Sequence, residues 1–238
     1  MRLSILYQKI LGDRVTSGPF RGMRHPAREV GSGKGIGARI LGTYEMELWE
    51  IVADLCDRPH DGIVNIGAAE GYYAIGLALL KPNSRTVAFE ADPEIAACLH
   101  ANVRLNGVEE RIRLADLCTL DDLRAELTGL HQPLVLIDVE GAERELLDPA
   151  KIPALVRSEV LVEIHDFAGP EIGAEIAARF QPTHQLTEVW TRNRTVHDIP
   201  PGVFHWLSHL LPGHGVRFLD EGRGTRMRWF HLRPLSMT

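Results

Sequence analysis

Ile63-Val-Asn-Ile-Gly67-Ala-Ala-Glu-Gly71-Tyr-Tyr-Ala-Ile-Gly-Leu-Ala-Leu-Leu80 opens as a short apolar run, breaks at two glycines and resumes as an Ala/Leu-rich segment with helical apolar spacing. It reads as a buried parallel strand, a glycine loop and a helix. Glycines suit such a loop because the chain turns sharply there, and a missing Cβ lets a ligand lie directly against the backbone. The helix that follows is expected to point free N–H groups into the same crevice, which favours an anionic or carbonyl-bearing ligand.

A second landmark extends the first. Thr86-Val-Ala-Phe-Glu90 reads as the next strand and ends in an acid 23 positions after Gly67. A dinucleotide-type fold places there the carboxylate that accepts both hydrogens of a ribose diol. The loop spacing is Gly-x-x-x-Gly, whereas a pyrophosphate is wrapped by Gly-x-Gly-x-x-Gly. A nucleoside without a pyrophosphate therefore fits better, and S-adenosylmethionine is the common one.

The totals narrow the class. A chain of 238 residues is long enough for one large α/β domain and too short for two ordinary ones. Hydrophobic and charged fractions of 45% and 24% match soluble globular averages, which disfavours disordered and membrane classes. A net charge of -6 leaves no overall basic footprint for nucleic acid. Cys56, Cys98 and Cys118 show no Cys-x-x-Cys spacing, as expected of buried thiols in a reducing cytoplasm. The apolar run after Arg2 is broken by Tyr7-Gln8-Lys9, so it fails as a signal peptide, and no run reaches transmembrane length.

Around the landmark the chain alternates helical and extended patterns. Leu3, Ile5, Leu6 and Ile10 suggest a short amphipathic helix. Residues 12 to 42 shift to Gly, Pro and basic residues, so residues 1–42 are expected to form a helix followed by a basic arm or lid, with residues 43–238 as the main domain. The arm's basic residues hint at an anionic partner. Thr43 to Leu55 reads as a helix capped by Thr43, and Asp92-Pro93-Glu94 starts another that Gly107 stops. Arg111 to Asp116, Pro133 to Asp138 and Ser158 to His165 are further strands, with a helix from Leu120 to Leu127 between the first two. Beyond Pro170, a helix from Glu171 to Phe180 precedes two strands, His184 to Trp190 and Thr225 to Leu232, expected to close as an antiparallel pair. Strands alternating with helices require a mostly parallel sheet with helices on both faces.

In such a sheet ligands bind outside the carboxyl ends of the strands. Those ends carry Asn65, Glu90, Asp116, Asp138 with Glu140 and Glu143, and Glu163 with His165 and Asp166. Crowded carboxylates need a compensating cation, proton or donor, and an ammonium with a sulfonium would supply it. Glu163 and His165, two apart on a strand, point to one side of the sheet, where the imidazole could accept a proton from a substrate hydroxyl. Asp138, Glu140, His165 and Asp166 could in principle hold a hard cation, but no compact motif supports one and no metal is expected.

Taken together, Asn-Ile-Gly-Ala-Ala-Glu-Gly-Tyr-Tyr (65 to 73), Ala-Phe-Glu (88 to 90), Asp-Val-Glu-Gly-Ala-Glu (138 to 143) and Val-Glu-Ile-His (162 to 165) resemble the FkbM-like class I methyltransferases over residues 43 to 168. The resemblance implies a Rossmann-like α/β fold with a seven-stranded, mostly parallel sheet and an antiparallel last strand, using S-adenosylmethionine to methylate a hydroxyl of a sugar, glycan or natural product. It implies that Asn65, Gly67, Glu70, Gly71, Tyr72, Glu90, Ala91, Asp116 and Asp138 bind the cofactor. Gly67 and Gly71 would then line its methionine part, Glu90 its ribose and Asp116 its adenine. His165, Glu140 and Glu163 would be catalytic, with Glu163 and His165 facing the acceptor. Two positions depart from the family, which usually has Asp at 65 and Asn at 69. The expected partner is a small-molecule or glycan acceptor, with no nucleic acid and no membrane, and a homodimer is allowed. A nicotinamide-dependent oxidoreductase and a non-catalytic cofactor-binding module are the alternatives.

Overall fold

The computed structural model describes residues 12–25, 35–169, 171–201 and 212–235. Seven strands form one sheet: β1 (Gly62–Ile66), β2 (Arg85–Phe89), β3 (Ile112–Ala115), β4 (Pro133–Ile137), β5 (Glu159–Ile164), β6 (His184–Trp190) and β7 (Arg228–Pro234). Their order is β3-β2-β1-β4-β5-β7-β6. The first five are mutually parallel, and β7 runs antiparallel to both β5 and β6. The strand order reverses between β1 and β4, so the glycine loop and the acidic segment after β4 leave the sheet side by side.

Helices flank both faces. They are α1 (Ile36–Leu41), α2 (Trp49–Asp57), α3 (Tyr72–Leu80), α4 (Pro93–Asn106), α5 (Leu120–Leu127), α6 (Glu143–Leu146), α7 (Ile172–Phe180) and α8 (Pro212–Phe218). Alternation along the strands sorts the core. Ile63, Leu134, Leu136, Leu161 and Trp229 pack with α2, α3 and α4, while Val64, Ile66, Val135, Ile137, Val162 and Phe230 pack with α5, α6 and α7. Each such side chain taken out of water contributes about 1.5–3 kcal/mol. α4 has the caps its sequence promises: Asp92 accepts from the Glu94 and Ile95 amides, Pro93 opens the helix, and Gly107 closes it at φ 66°. A Thr119/Asp122 capping box starts α5.

Two expectations need revision. Thr43 caps no helix: it is fully buried with its hydroxyl on the Ala38 carbonyl, and regular helix begins only at Trp49 after a 3-10 turn, Met46–Leu48. The boundary at residue 42 is not a break in packing either. Val15, Phe20 and Met23 lie in the main core, and Ile36, Ile40 and Leu41 are buried. Gly76 of α3 explains the fit, because a Cβ there would stand 2.4 Å from the Phe20 ring. The amphipathic helix read over residues 1–11 lies outside the described residues.

At the amino end of the sheet, Glu159 is wholly buried between two imidazoles, 2.9 Å from His60 Nε2 and 2.8 Å from His231 Nε2, with Arg58 Nε at 3.2 Å. Burial works to raise its pKa, but the hydrogen bonds from His231 and His60 outweigh it and hold the carboxyl at about 2, below its ordinary 4.5. A lowered folded pKa stabilises fully above the ordinary value and is lost as pH falls through the folded one. Glu159 should therefore contribute on the order of 3 kcal/mol above pH 4.5 that disappears by about pH 2. Urea unfolding as a function of pH should show this acid limb flattened in Glu159→Gln.

Candidate active site

The loop between β1 and α3 is built around one close backbone approach. Gly67, at φ 74°, passes the end of β4 so tightly that a Cβ would lie 1.8 Å from the Asp138 carbonyl oxygen. The Gly67 and Ala68 amides both donate to the Phe89 carbonyl, at 3.0 and 2.9 Å, and the Ala69 amide donates to Glu90 Oε2 at 2.8 Å. These three loop amides are thus spent on β2 and its terminal acid, so the loop itself, before α3 begins, has none of them free for a ligand. The other Glu90 oxygen accepts from the Asp92 amide at 2.9 Å.

Beside this loop lies a cavity of about 450 Å³ lined by Gly67, Ala69, Glu90, Ala91, Asp92, Asp116, Leu117, Cys118, Asp138 and Glu140 among others. The carboxyl ends of β1, β2, β3 and β4 all contribute. Of the nine residues read as cofactor-binding, Gly67, Glu90, Ala91, Asp116 and Asp138 meet here, with Glu140 from the catalytic set. The other four do not. Asn65, the penultimate residue of β1, is 1% exposed on the face that carries Ile63, and neither amide atom has a hydrogen-bond partner in the structure. Glu70 pairs with Arg39 at 3.4 Å instead. Gly71 is the left-handed N-cap of α3, and Tyr72 is buried edge-on among Phe20, Tyr44 and Tyr73.

Glu163 and His165 lie next to the cavity, behind Asp138. Asp138 leaves a third of its side chain open, whereas Glu163 and His165 are about 5% exposed. His165 Nε2 is 3.5 Å from Asp138 Oδ1 and 3.4 Å from Glu163 Oε2, and Nδ1 is 3.2 Å from Glu143 Oε1. Asp166 faces elsewhere, bonded to Arg228, so the four-residue cation set read from sequence does not converge. Donor atoms of Asp138, Glu163 and His165 fall within 4.8 Å of one another. Their positive partners among the described residues are the imidazole and the Arg223 guanidinium, which bonds both Glu163 and Glu45.

Glu45 and Arg223 carry no local sequence signal, since their pairing spans 178 positions. Glu45 sits at φ 47°, a strained value for a side chain with a Cβ, held by Tyr73, Arg223 and its own amide on Glu221. Burial pushes its carboxyl up to about 7 against the pull of Arg223. Burial and the Glu163 and Glu45 charges likewise raise Asp138, tempered by solvent at its open edge. Burial alone would lower His165, but Glu143 and Glu163 accept its hydrogen bonds and raise it to about 10. These bonds favour the protonated ring at neutral pH.

No family model matches the chain, and no curated protein matches its sequence. Solved structures do resemble it. A Klebsiella pneumoniae protein provisionally described as an O-methyltransferase aligns over 87% of this chain and 83% of its own at 14% identity, with a TM-score of 0.51. An O-methyltransferase from Bacillus cereus in complex with SAH aligns over 87% and 84% at 14% identity, TM-score 0.50. Precorrin 8w decarboxylase from Methanobacterium thermoautotrophicum aligns over 79% and 89% at 16% identity, TM-score 0.50. The chain therefore has the Rossmann-like class I methyltransferase fold, and the range of activities among these neighbours leaves the chemistry to the site.

Two outcomes are expected of this site. A raised histidine pKa stabilises fully below the ordinary 6.5 and is lost as pH rises through about 10, so stability should fall across that window in the parent and stay level in His165→Gln, read by urea unfolding. Ala69 is left-handed at φ 47°, where Asn or Gly is easier, and Ala69→Gly should raise stability by about 1 kcal/mol in thermal melts.

Proposed function

We propose that this chain is an FkbM-like, S-adenosylmethionine-dependent methyltransferase acting on a hydroxyl oxygen of a small molecule or glycan. One observation carries the reading: Gly67 and Glu90 share a single cavity with Asp116 and Asp138 at the strand-order reversal. The fit is local as well. Each Glu90 oxygen accepts one backbone N–H and keeps a lone pair for a ribose hydroxyl, and Gly67 lines the same cavity. The bound cofactor would supply an electrophilic methyl group on a sulfonium.

The chain's own residues do the rest. Asp116 lies where an adenine amino group could be accepted, and Asp138 presents carboxylate oxygen to a positively charged centre. Positive charge beside Asp138 competes with His165 for that carboxylate and lowers the proton affinity of the ring. Once Nε2 has released its own proton to solvent past the open edge of Asp138, it is the site that takes a hydroxyl proton, while alignment of the nucleophile accounts for most of the rate. The spent amides of Gly67, Ala68 and Ala69 weigh against a pyrophosphate and so against a nicotinamide cofactor. Of the three cysteines, expected to be buried thiols, only Cys118 is buried while Cys56 and Cys98 are partly exposed, and no helix among the described residues is long and apolar enough to cross a membrane.

Isothermal titration with S-adenosylhomocysteine tests the proposal. Saturable heat is expected, and none at high protein concentration would overturn it. Glu90→Ala should weaken that affinity by about 2 kcal/mol, roughly thirtyfold, through the lost diol contact. His165→Ala should leave it almost unchanged while abolishing label transfer from S-adenosylmethionine into small-molecule and glycan fractions of cell extract. Loss of cofactor binding in His165→Ala would refute the separate role given to the ring.

A further inference from the structure

Glu143 is the last acid of the Asp138-Val-Glu-Gly-Ala-Glu143 block and the first residue of α6, where a carboxylate ordinarily faces water beside the helix amides. Here it is turned inward and wholly buried. Oε2 accepts from the Gly141 amide at 2.7 Å, and Oε1 accepts from the His165 backbone amide at 2.9 Å and lies 3.2 Å from His165 Nδ1. An ionised carboxylate only accepts, so the Nδ1 that faces it must carry hydrogen. Burial works against its ionisation, and hydrogen bonds from the His165 ring and nearby backbone overcome that and lower its pKa.

We propose that Glu143 is the positioning residue of this site: it fixes the His165 imidazole with Nδ1–H bound inward, so that Nε2 is the only ring nitrogen able to exchange a proton on the Asp138 side. The geometry stands by itself, and the use made of Nε2 rests on the methyltransferase reading. Every charged group around the ring fits this assignment. Asp138, after β4, and Glu163, on β5, face Nε2 at 3.5 and 3.4 Å. Arg223 reaches Glu163 from the loop before β7, sharing itself with Glu45. After β5 the Asp166 carboxylate is turned away onto Arg228 at 2.7 Å, and the Phe167 ring lies edge-on to the imidazole at 5.4 Å between centroids. Among the described residues, only Glu143 faces Nδ1. Without its charge the ring is free to flip or to divide between tautomers, and the proton-exchanging nitrogen no longer has a fixed address.

The test uses the full chain, labelled with ¹⁵N-histidine, and needs no acceptor. Comparison with the His165→Gln spectrum assigns the ring. In the parent, His165 should show a downfield, slowly exchanging Nδ1 proton and, at alkaline pH, a neutral ring protonated at Nδ1. In Glu143→Gln that proton should move upfield and exchange faster, the titration midpoint should fall by about one pH unit or more, and both tautomers should appear. S-adenosylhomocysteine affinity within about twofold of the parent would show that the cavity survives. A parent ring protonated at Nε2 when neutral, or an unprotected Nδ1 proton, overturns the proposal even if the variant does not fold. An unchanged midpoint and tautomer in a folded Glu143→Gln overturns it too. If the Nδ1 signature is present but neither protein binds S-adenosylhomocysteine, the positioning role stands and the methyltransferase reading falls.

Discussion

The contact between Gly67 and the Asp138 carbonyl is the constraint on which the site depends. It exists because β1 and β4 are neighbours with no strand between them, so the chain leaving β1 must turn under the chain leaving β4. Any side chain at 67 would push the two apart. With them close, the acids that end β2, β3 and β4 open onto one cavity, and the Asp138 carboxylate serves as its wall and as a neighbour of His165.

Behind that wall the dominant physics is charge without water. Asp138, Glu163, Glu143 and Glu45 lie within a few ångströms of one imidazole and one guanidinium, and groups so placed cannot all ionise independently. Breaking one partner from such a set leaves a buried charge uncompensated, which costs more than the pair contributes when whole. The strained backbone of Glu45 persists because Tyr73, Arg223 and Glu221 all hold it there. A second buried carboxylate, Glu159, solves the same problem at the other end of the sheet with two histidines and an arginine.

Much of this was legible in the sequence, for physical reasons that can be named. The apolar runs at 63–66 and 133–137 became fully buried strands, and Asp92-Pro93 with Gly107 bounded a helix by capping alone. Gly67, Glu90, Asp116 and Asp138 were readable because each stands at a strand end that topology must bring together. Asn65, Glu70 and Tyr72 sat in the same motif, yet a period of two turned Asn65 to the apolar layer, Arg39 drew off Glu70, and an aromatic cluster absorbed Tyr72. Glu45 and Arg223 were invisible because long-range ion pairs leave no periodicity. The basic segment before residue 42 read as an arm or lid because Gly, Pro and basic residues crowd it, but Val15, Phe20 and Met23 suffice to anchor part of it.

The position of β7 has a consequence for biosynthesis. It inserts between β5 and β6, so β6, although made earlier, has no hydrogen-bonding neighbour until β7 has left the ribosome. The loop leading into β7 also delivers Arg223, the cation that Glu45 and Glu163 share. A nascent chain halted before that point would carry both an open, aggregation-prone sheet edge and an acidic pocket without its guanidinium, and the same stretch of chain closes both.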